Sequence, residues 1–296
     1  MNKTNVMEIK RELERIYTPQ PEPGFLGRGH TARPVISGSF QETDPFILLM
    51  DDFLDKKDNE PVGGPHPHAG FETVSLLLEG EIGDEKHTMK GGDFQMMTAG
   101  SGIVHTETID KIARMRLLQL WVNLPKKDRW AMPRVQDLPL EHVPTLSENG
   151  VQIKLYSGAL AGLTSPVQNY VPMVIADVSI EAAVTTMLQI PANFNGFVYI
   201  LAGNMVVGEK GKLLKENQVG WLNRFETDEQ SELKLSAAEA GVRFVLYAGK
   251  PTGDQIVSYG PFIADTSEDI QRLYRDYRQG RMEHISTVPE SQRILL

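Results

Sequence analysis

The chain has 296 residues, 41% of them hydrophobic and 23% charged, a balance that excludes disorder, collagen and a simple coiled coil and leaves two domains or one large barrel. Against 39 Asp and Glu stand 30 Lys and Arg, a formal charge of −9; with no basic run to match a phosphate backbone, no direct nucleic-acid binding is expected. Cys is absent, which excludes disulfides, thiolate metal sites and a cysteine nucleophile and leaves imidazole and carboxylate as metal ligands.

Residues 1–14 mix Lys3, Glu8, Lys10, Arg11, Glu12 and Glu14 with isolated apolar residues, unlike a signal or transit peptide. No stretch approaches the ~20 apolar residues of a membrane span, so a cytoplasmic protein away from membranes is expected. Short apolar runs then alternate with Gly and Pro turns, at residues 73–78, 115–124, 173–178, 196–201 and 242–247. Strands at this spacing predict a β-sandwich or barrel. The chain also looks duplicated: Gly203 closes an apolar strand 123 residues after Gly80 does, and Pro251 follows Pro125 by 126. A join is expected near residues 138–150, where Pro139, Pro144, Asn149 and Gly150 break the pattern, dividing the chain into 1–140 and 141–296. Near the end, Thr266 and Asp269 form a capping box, Ile270, Leu273, Tyr274 and Tyr277 fall at i, i+3, i+4 and i+7, and Gly280 supplies a stop. That spacing predicts a helix packed on a sheet.

Chemistry is concentrated in two short runs, His66-Pro67-His68 and His105-Thr106-Glu107. Residues i and i+2 of a strand share a face, so each pair can project both side chains into a barrel. Three imidazoles and one carboxylate suit a hard to borderline divalent ion and leave positions open if it takes six ligands, whereas zinc would find a closed tetrahedron. Glu72 competes with Glu107 for the carboxylate role, because it shares parity with His66 and His68. His30, His87, His142 and His284 have no ligand-type neighbour at i+2 and are expected on the surface or behind the ligands.

The ordered run Pro65-His-Pro-His-Ala-Gly-Phe-Glu-Thr-Val74, Leu77-Leu-Glu-Gly80, Gly92-Asp93 and Met97-Thr-Ala-Gly-Ser-Gly-Ile-Val-His-Thr-Glu107 resembles the signature of the pirins, a branch of the cupin superfamily. The likeness continues through Leu120-Trp-Val-Asn-Leu-Pro125 and Gly260-Pro261-Phe262. It implies an all-β bicupin, two jelly-roll β-barrels packed together with a short C-terminal helix, with one metal in the first barrel. By motif position the ligands fall on His66, His68, His105 and Glu107. Fe(II) is the expected ion, with Cu, Ni, Mn, Co or Zn as alternatives. The family further implies a quercetinase-type dioxygenase that opens a flavonol with O₂, Glu107 taking the substrate's enolic proton, or else a non-catalytic, metal- or redox-responsive regulator of a protein partner; for that second reading the acidic run of residues 51–60 is the candidate face. Ala69 stands where the family more often has a basic residue and Met96 where a Trp is common, which predicts an altered pocket rim. Gln189 and Pro191 lie 123 residues after His66 and His68, and no His occurs between His142 and His284. The second barrel is therefore expected to hold no metal and to serve as a structural or water-excluding partner.

Overall fold

The computed structural model describes residues 8–83 and 88–296. The strands that frame it are β1 (Leu13–Tyr17), β2 (His30–Pro34), β3 (Phe46–Lys56), β4 (His66–His68), β5 (Phe71–Glu79), β6 (Phe94–Thr98), β7 (Ile103–His105), β8 (Ala113–Asn123), β9 (Arg134–Leu138), β10 (Val151–Ser157), β11 (Met173–Ile180), β12 (Thr185–Pro191), β13 (Asn195–Val207), β14 (Val219–Leu222), β15 (Gln230–Gly249) and β16 (Arg293–Leu295). Each apolar run read from the sequence falls on one of them, as β-branched and large apolar residues between Gly and Pro turns dictate.

Two compact units result. One joins the residues up to Pro19 with Val143–Pro251, and the other joins Gln20–His142 with Thr252–Leu296. The sequence reading cuts the chain once, into 1–140 and 141–296; in the structure the ends are exchanged. β1 pairs with β14, and Ile9–Lys10 pairs with β15, so the opening residues complete the sheet of the second unit. β16 pairs in parallel with β9, so the closing residues return to the first. Strands of two to five residues carry too little periodicity to announce such an exchange.

The histidine-bearing unit has the strand order β16-β9-β6-β5-β8-β3-β2, followed by Glu22–Pro23. The other has Thr145–Glu148, then β10-β11-β15-β13-β14-β1. From β9 to Glu22–Pro23 and from β1 to Thr145–Glu148 the orders correspond, with β1 standing where β9 stands in the first unit and β16 left without a counterpart on that path. Two copies of one β-unit, expected from the repeated turns, are thus visible as matched ladders.

In the histidine-bearing unit, successive rungs cross the inner face. Trp121 pairs with Thr73, Thr73 with Met97 and Met97 with Val135; one rung further, Gln119 pairs with Ser75, Ser75 with Gln95 and Gln95 with Asp137. In the other unit the inner positions hold Val178, Leu188, Ile190, Val198, Leu233 and Phe244, all within one apolar cluster. The C-terminal helix, Ser267–Arg278, forms as its cap predicts, with Thr266 Oγ1 accepting from the Asp269 N–H at 3.1 Å. Ile270 and Leu273 are buried in it, while Tyr277 at the end of the stripe stays exposed.

Candidate metal centre

β4 and β7 pair antiparallel, with His66 opposite His105 and His68 opposite Ile103. This register places three imidazoles on one small surface: His105 Nε2 lies 2.8 Å from His66 Nε2 and 3.0 Å from His68 Nε2. His66 Nδ1 sits 3.0 Å from the Gly64 carbonyl, an acceptor only, so Nδ1 carries the proton and the Nε2 lone pair points inward. The carbonyl of Pro261 faces His68 without meeting hydrogen-bond geometry at Nδ1. The rings of Phe71 and Trp121 lie edge-on to His68, with centroids at 5.3 and 5.2 Å.

Those apolar walls set the protonation state. Burial first, and then the charge of His66, hold His68 down at about 3; burial and the neighbouring imidazoles hold His105 well below the ordinary range. Neutral imidazoles converging through Nε2 are the form that binds a metal ion. The donor set, three nitrogens with no thiolate and buried apolar surroundings, therefore fits a divalent ion.

Glu107 stands at the edge of this trio. Its Oε1 is 3.9 Å from His105 Nδ1, and its side chain is 24% exposed; the three-residue cluster of close ligand atoms does not include it. Burial raises its carboxyl above the ordinary range; His66 opposes that shift and Asp52 adds to it. Gly63 (φ +78°) lets the chain pass beside it, since a Cβ there would lie 2.3 Å from the Glu107 carbonyl oxygen.

Glu72 is not an interior rival. Its side chain accepts from Thr98 Oγ1 at 2.6 Å, on the face of β5 opposite Phe71, Thr73 and Ser75. Gly70 is the reason: at φ +85°, with a hypothetical Cβ only 1.9 Å from the Ile263 carbonyl oxygen, it breaks the strand between His68 and Glu72, so parity does not carry across. The altered rim expected from Ala69 and Met96 is not found either. Ala69 is wholly buried and bridged to Phe262, and Met96 is buried on the side of β6 that faces away from Gln95 and Met97.

The remaining histidines differ among themselves. His30 is buried, accepts from the Leu26 N–H at Nδ1 (3.0 Å) and so donates from Nε2 to Asp52 Oδ1 at 2.8 Å. That places an oriented carboxylate behind Glu107. His142 bonds the Leu296 carbonyl at 2.7 Å, and His87 lies outside the described residues. His284 accepts at Nδ1 from the Ser286 N–H (3.1 Å) and donates from Nε2 to Thr106 Oγ1 (2.9 Å). The Val104 N–H also donates to the Glu283 carbonyl at 2.9 Å, so the returning C-terminal segment braces β7 on the edge that β4 leaves open. Sequence reading missed this brace; no His-x-ligand spacing marks it. Within the acidic segment 51–60, Asp51 is buried against Arg116 (2.9 Å) and Asp52 binds His30, while Asp58 and Glu60 stay exposed.

A cavity of about 740 Å³ opens beside the histidines, its lining including His105, Glu107, Ser75, Gln95, Asp137 and His284. Among the described residues no helix is long and apolar enough to cross a membrane.

Two matched β-units, one of them lined by a histidine trio able to hold an ion, define a bicupin. The descriptions Pirin and Pirin C-terminal cupin domain match residues 29–122 and 175–283. The chain is 34% identical over 273 residues to Pirin-like protein 2 of Arabidopsis thaliana, covering 86% of this chain and 81% of that one. It is 34% identical over 269 residues to Pirin of Rattus norvegicus, covering 86% and 88%. A solved quercetin 2,3-dioxygenase from Acinetobacter baumannii superposes with a TM-score of 0.79 at 26% identity, covering 92% of this chain and 98% of that one. The chain belongs to the pirin family.

Proposed function

We propose that the protein is a metal-dependent dioxygenase that cleaves a flavonol such as quercetin with O₂, using one divalent ion, Fe(II) by preference over Cu, Ni, Mn, Co or Zn. The observation that carries this reading is the convergence of three imidazole Nε2 atoms beside a cavity that His105 lines and that is large enough for a small aromatic ligand. The likeness to a protein named quercetin 2,3-dioxygenase supports the substrate class. His66, His68 and His105 would hold the ion, with Glu107 as fourth ligand after rotation of its side chain. When bound, the ion supplies Lewis acidity toward the enolic oxygen and access to O₂.

The chain's own residues do the rest. Glu107, held more basic than an ordinary carboxylate by its burial, accepts the enolic proton at a carboxylate oxygen. Asp52, fixed by His30, sustains that basicity. Phe71 and Trp121 keep water from the histidines. Elemental analysis of freshly purified protein, followed by an anaerobic-to-aerobic quercetin assay, tests the reading. Metal near one equivalent with turnover on admitting air is expected. Retained metal with no turnover would move the protein to its other reading, a metal- or redox-responsive regulator of a protein partner.

A further inference from the structure

One rung of the cavity wall is polar in a way the metal site does not explain. Gln119, Ser75, Gln95 and Asp137 lie directly opposite one another across β8, β5, β6 and β9. Their neighbours on the same face are apolar or ringed: Trp121, Met97 and Val135 on one side, Leu117 and Leu77 on the other. The matched unit fills its interior with Leu, Ile and Val. Polar side chains are costly in a barrel interior unless something hydrogen-bonds them, and Gln95 and Ser75 keep hydrogen-bonding capacity to spare. Gln95 donates its Nε2–H to Asp137 Oδ1 at 2.7 Å, which leaves Gln95 Oε1 directed elsewhere. Ser75, only 7% exposed, lines the cavity and makes no side-chain hydrogen bond among the described residues.

The atoms presented are mixed. Asp137 can only accept, Gln95 spends one amide N–H on Asp137 and keeps the other beside its Oε1 acceptor, and Ser75 can do either. Hydroxyls, which both donate and accept, suit such a set, whereas a carboxylate or phosphate would meet the Asp137 carboxylate. The nearby cations are engaged: Arg293 donates to the Ile285 carbonyl, and Lys111 pairs with Glu81 at 3.2 Å. The rung also lies at a useful distance. Phe71 touches His68, and Ser75 is four residues further along the same strand, about 13 Å. Val135, on the histidine side of the rung, and Leu117, beyond it, offer apolar surface to the faces of a ring system.

We infer that Ser75, Gln95 and Asp137 form a recognition site for the hydroxyl-bearing far end of a planar polyphenol whose enolic end lies at the histidines. The inference rests on the flavonol reading and sharpens it: the enzyme selects flavonols hydroxylated on the ring remote from the metal. A site built to hydrogen-bond a substrate hydroxyl rejects the analogue that lacks it, because its own buried polar atoms are then left unpaired.

The test compares quercetin with 3-hydroxyflavone, which keeps the enolic end but lacks the other hydroxyls. Affinities are read anaerobically from tryptophan fluorescence quenching, on the full chain with and without metal. Wild-type protein should bind quercetin at least about tenfold more tightly than 3-hydroxyflavone. Gln95→Met and the isosteric Asp137→Asn should erase that preference and leave 3-hydroxyflavone affinity unchanged, which also shows that the cavity is intact. Equal binding of the two compounds by wild-type protein, or a preference that survives in both variants, overturns the inference and leaves the flavonol reading standing. Failure of metal-loaded protein to bind either compound overturns both together.

Discussion

The two units share a ladder order and part company at one rung. In the first, His66 faces His105 across the β4–β7 pair; in the second, Ile190 faces Ser231 across β12 and β15. Ser231 Oγ donates to the Ile190 carbonyl at 2.8 Å and accepts from Arg11 Nε at 2.8 Å. The wholly buried Arg11 also donates to the carbonyls of Pro191 (2.7 Å), Phe194 (2.8 Å) and Asn223. Burial, and then Arg224, lowers its pKa to about 10, so it remains charged at neutral pH. One scaffold thus meets positive charge in two ways. The first unit converges lone pairs that can receive an ion, and the second has a covalently attached cation bound by main-chain oxygens. The lesson is that duplicated barrels diverge in function through a few inward side chains while the ladder persists.

The largest expected break in this comparison comes from the ligands themselves. His66→Ala with His68→Ala should take metal content from about one equivalent to none by elemental analysis. Gln189→Ala should leave it unchanged, since Gln189 is exposed and the inward positions of β12 are Leu188 and Ile190. Full occupancy in the double variant would remove the site assignment. The carboxylates come next. Glu107→Ala should weaken metal binding more than Glu72→Ala, whose loss should cost at most about 10 to 100-fold as an outer partner would. Metal titrations giving the reverse order would return Glu72 to the site.

In the second unit, Arg11→Met strands several main-chain carbonyls and should lower stability by about 3 kcal/mol. A urea midpoint that does not move would show the guanidinium to be dispensable, and metal content serves as the internal control. The smallest effect is the share of one imidazole, His68, in a pH dependence that belongs to the first unit alone. His68 and His105 are held neutral in the folded chain, whereas an unfolded chain protonates them below about 6.5. The unfolded state therefore binds more protons. Metal-free protein should lose up to about 1.4 kcal/mol per pH unit per imidazole as pH falls from about 6.5 toward 3. Urea midpoints measured at about pH 7 and pH 5 should show a shallower loss in His68→Gln; an identical slope would count against the buried, neutral imidazole.

Much of this was legible in the residues. The strands, the repeat, the helix cap and the histidine trio follow from period-two apolar runs, turn residues and His-x-His spacing. Three things were not. Glu72 was misplaced because parity counting assumes an unbroken strand, and Gly70 breaks it. Counting 123 residues on from His66 and His68 reaches Gln189 and Pro191, but the inward positions of that strand are Leu188 and Ile190, and one residue along a strand turns a side chain from the core to solvent. The end exchange and the His284 brace were invisible because they depend on pairings between residues more than 150 positions apart, such as Thr106 with His284, and local pattern holds no record of those.

That brace bears on the order in which the protein is made. During synthesis the histidines leave the ribosome early, yet β7 lacks its outer neighbour, and β9 its parallel partner, until residues 283–295 have followed. The sheet of the second unit, by contrast, waits with β1 already translated and needs only the strands that come after it. The older half of the nascent chain is therefore the later one to be finished, and the histidine trio acquires its final support only once nearly every other strand has been translated.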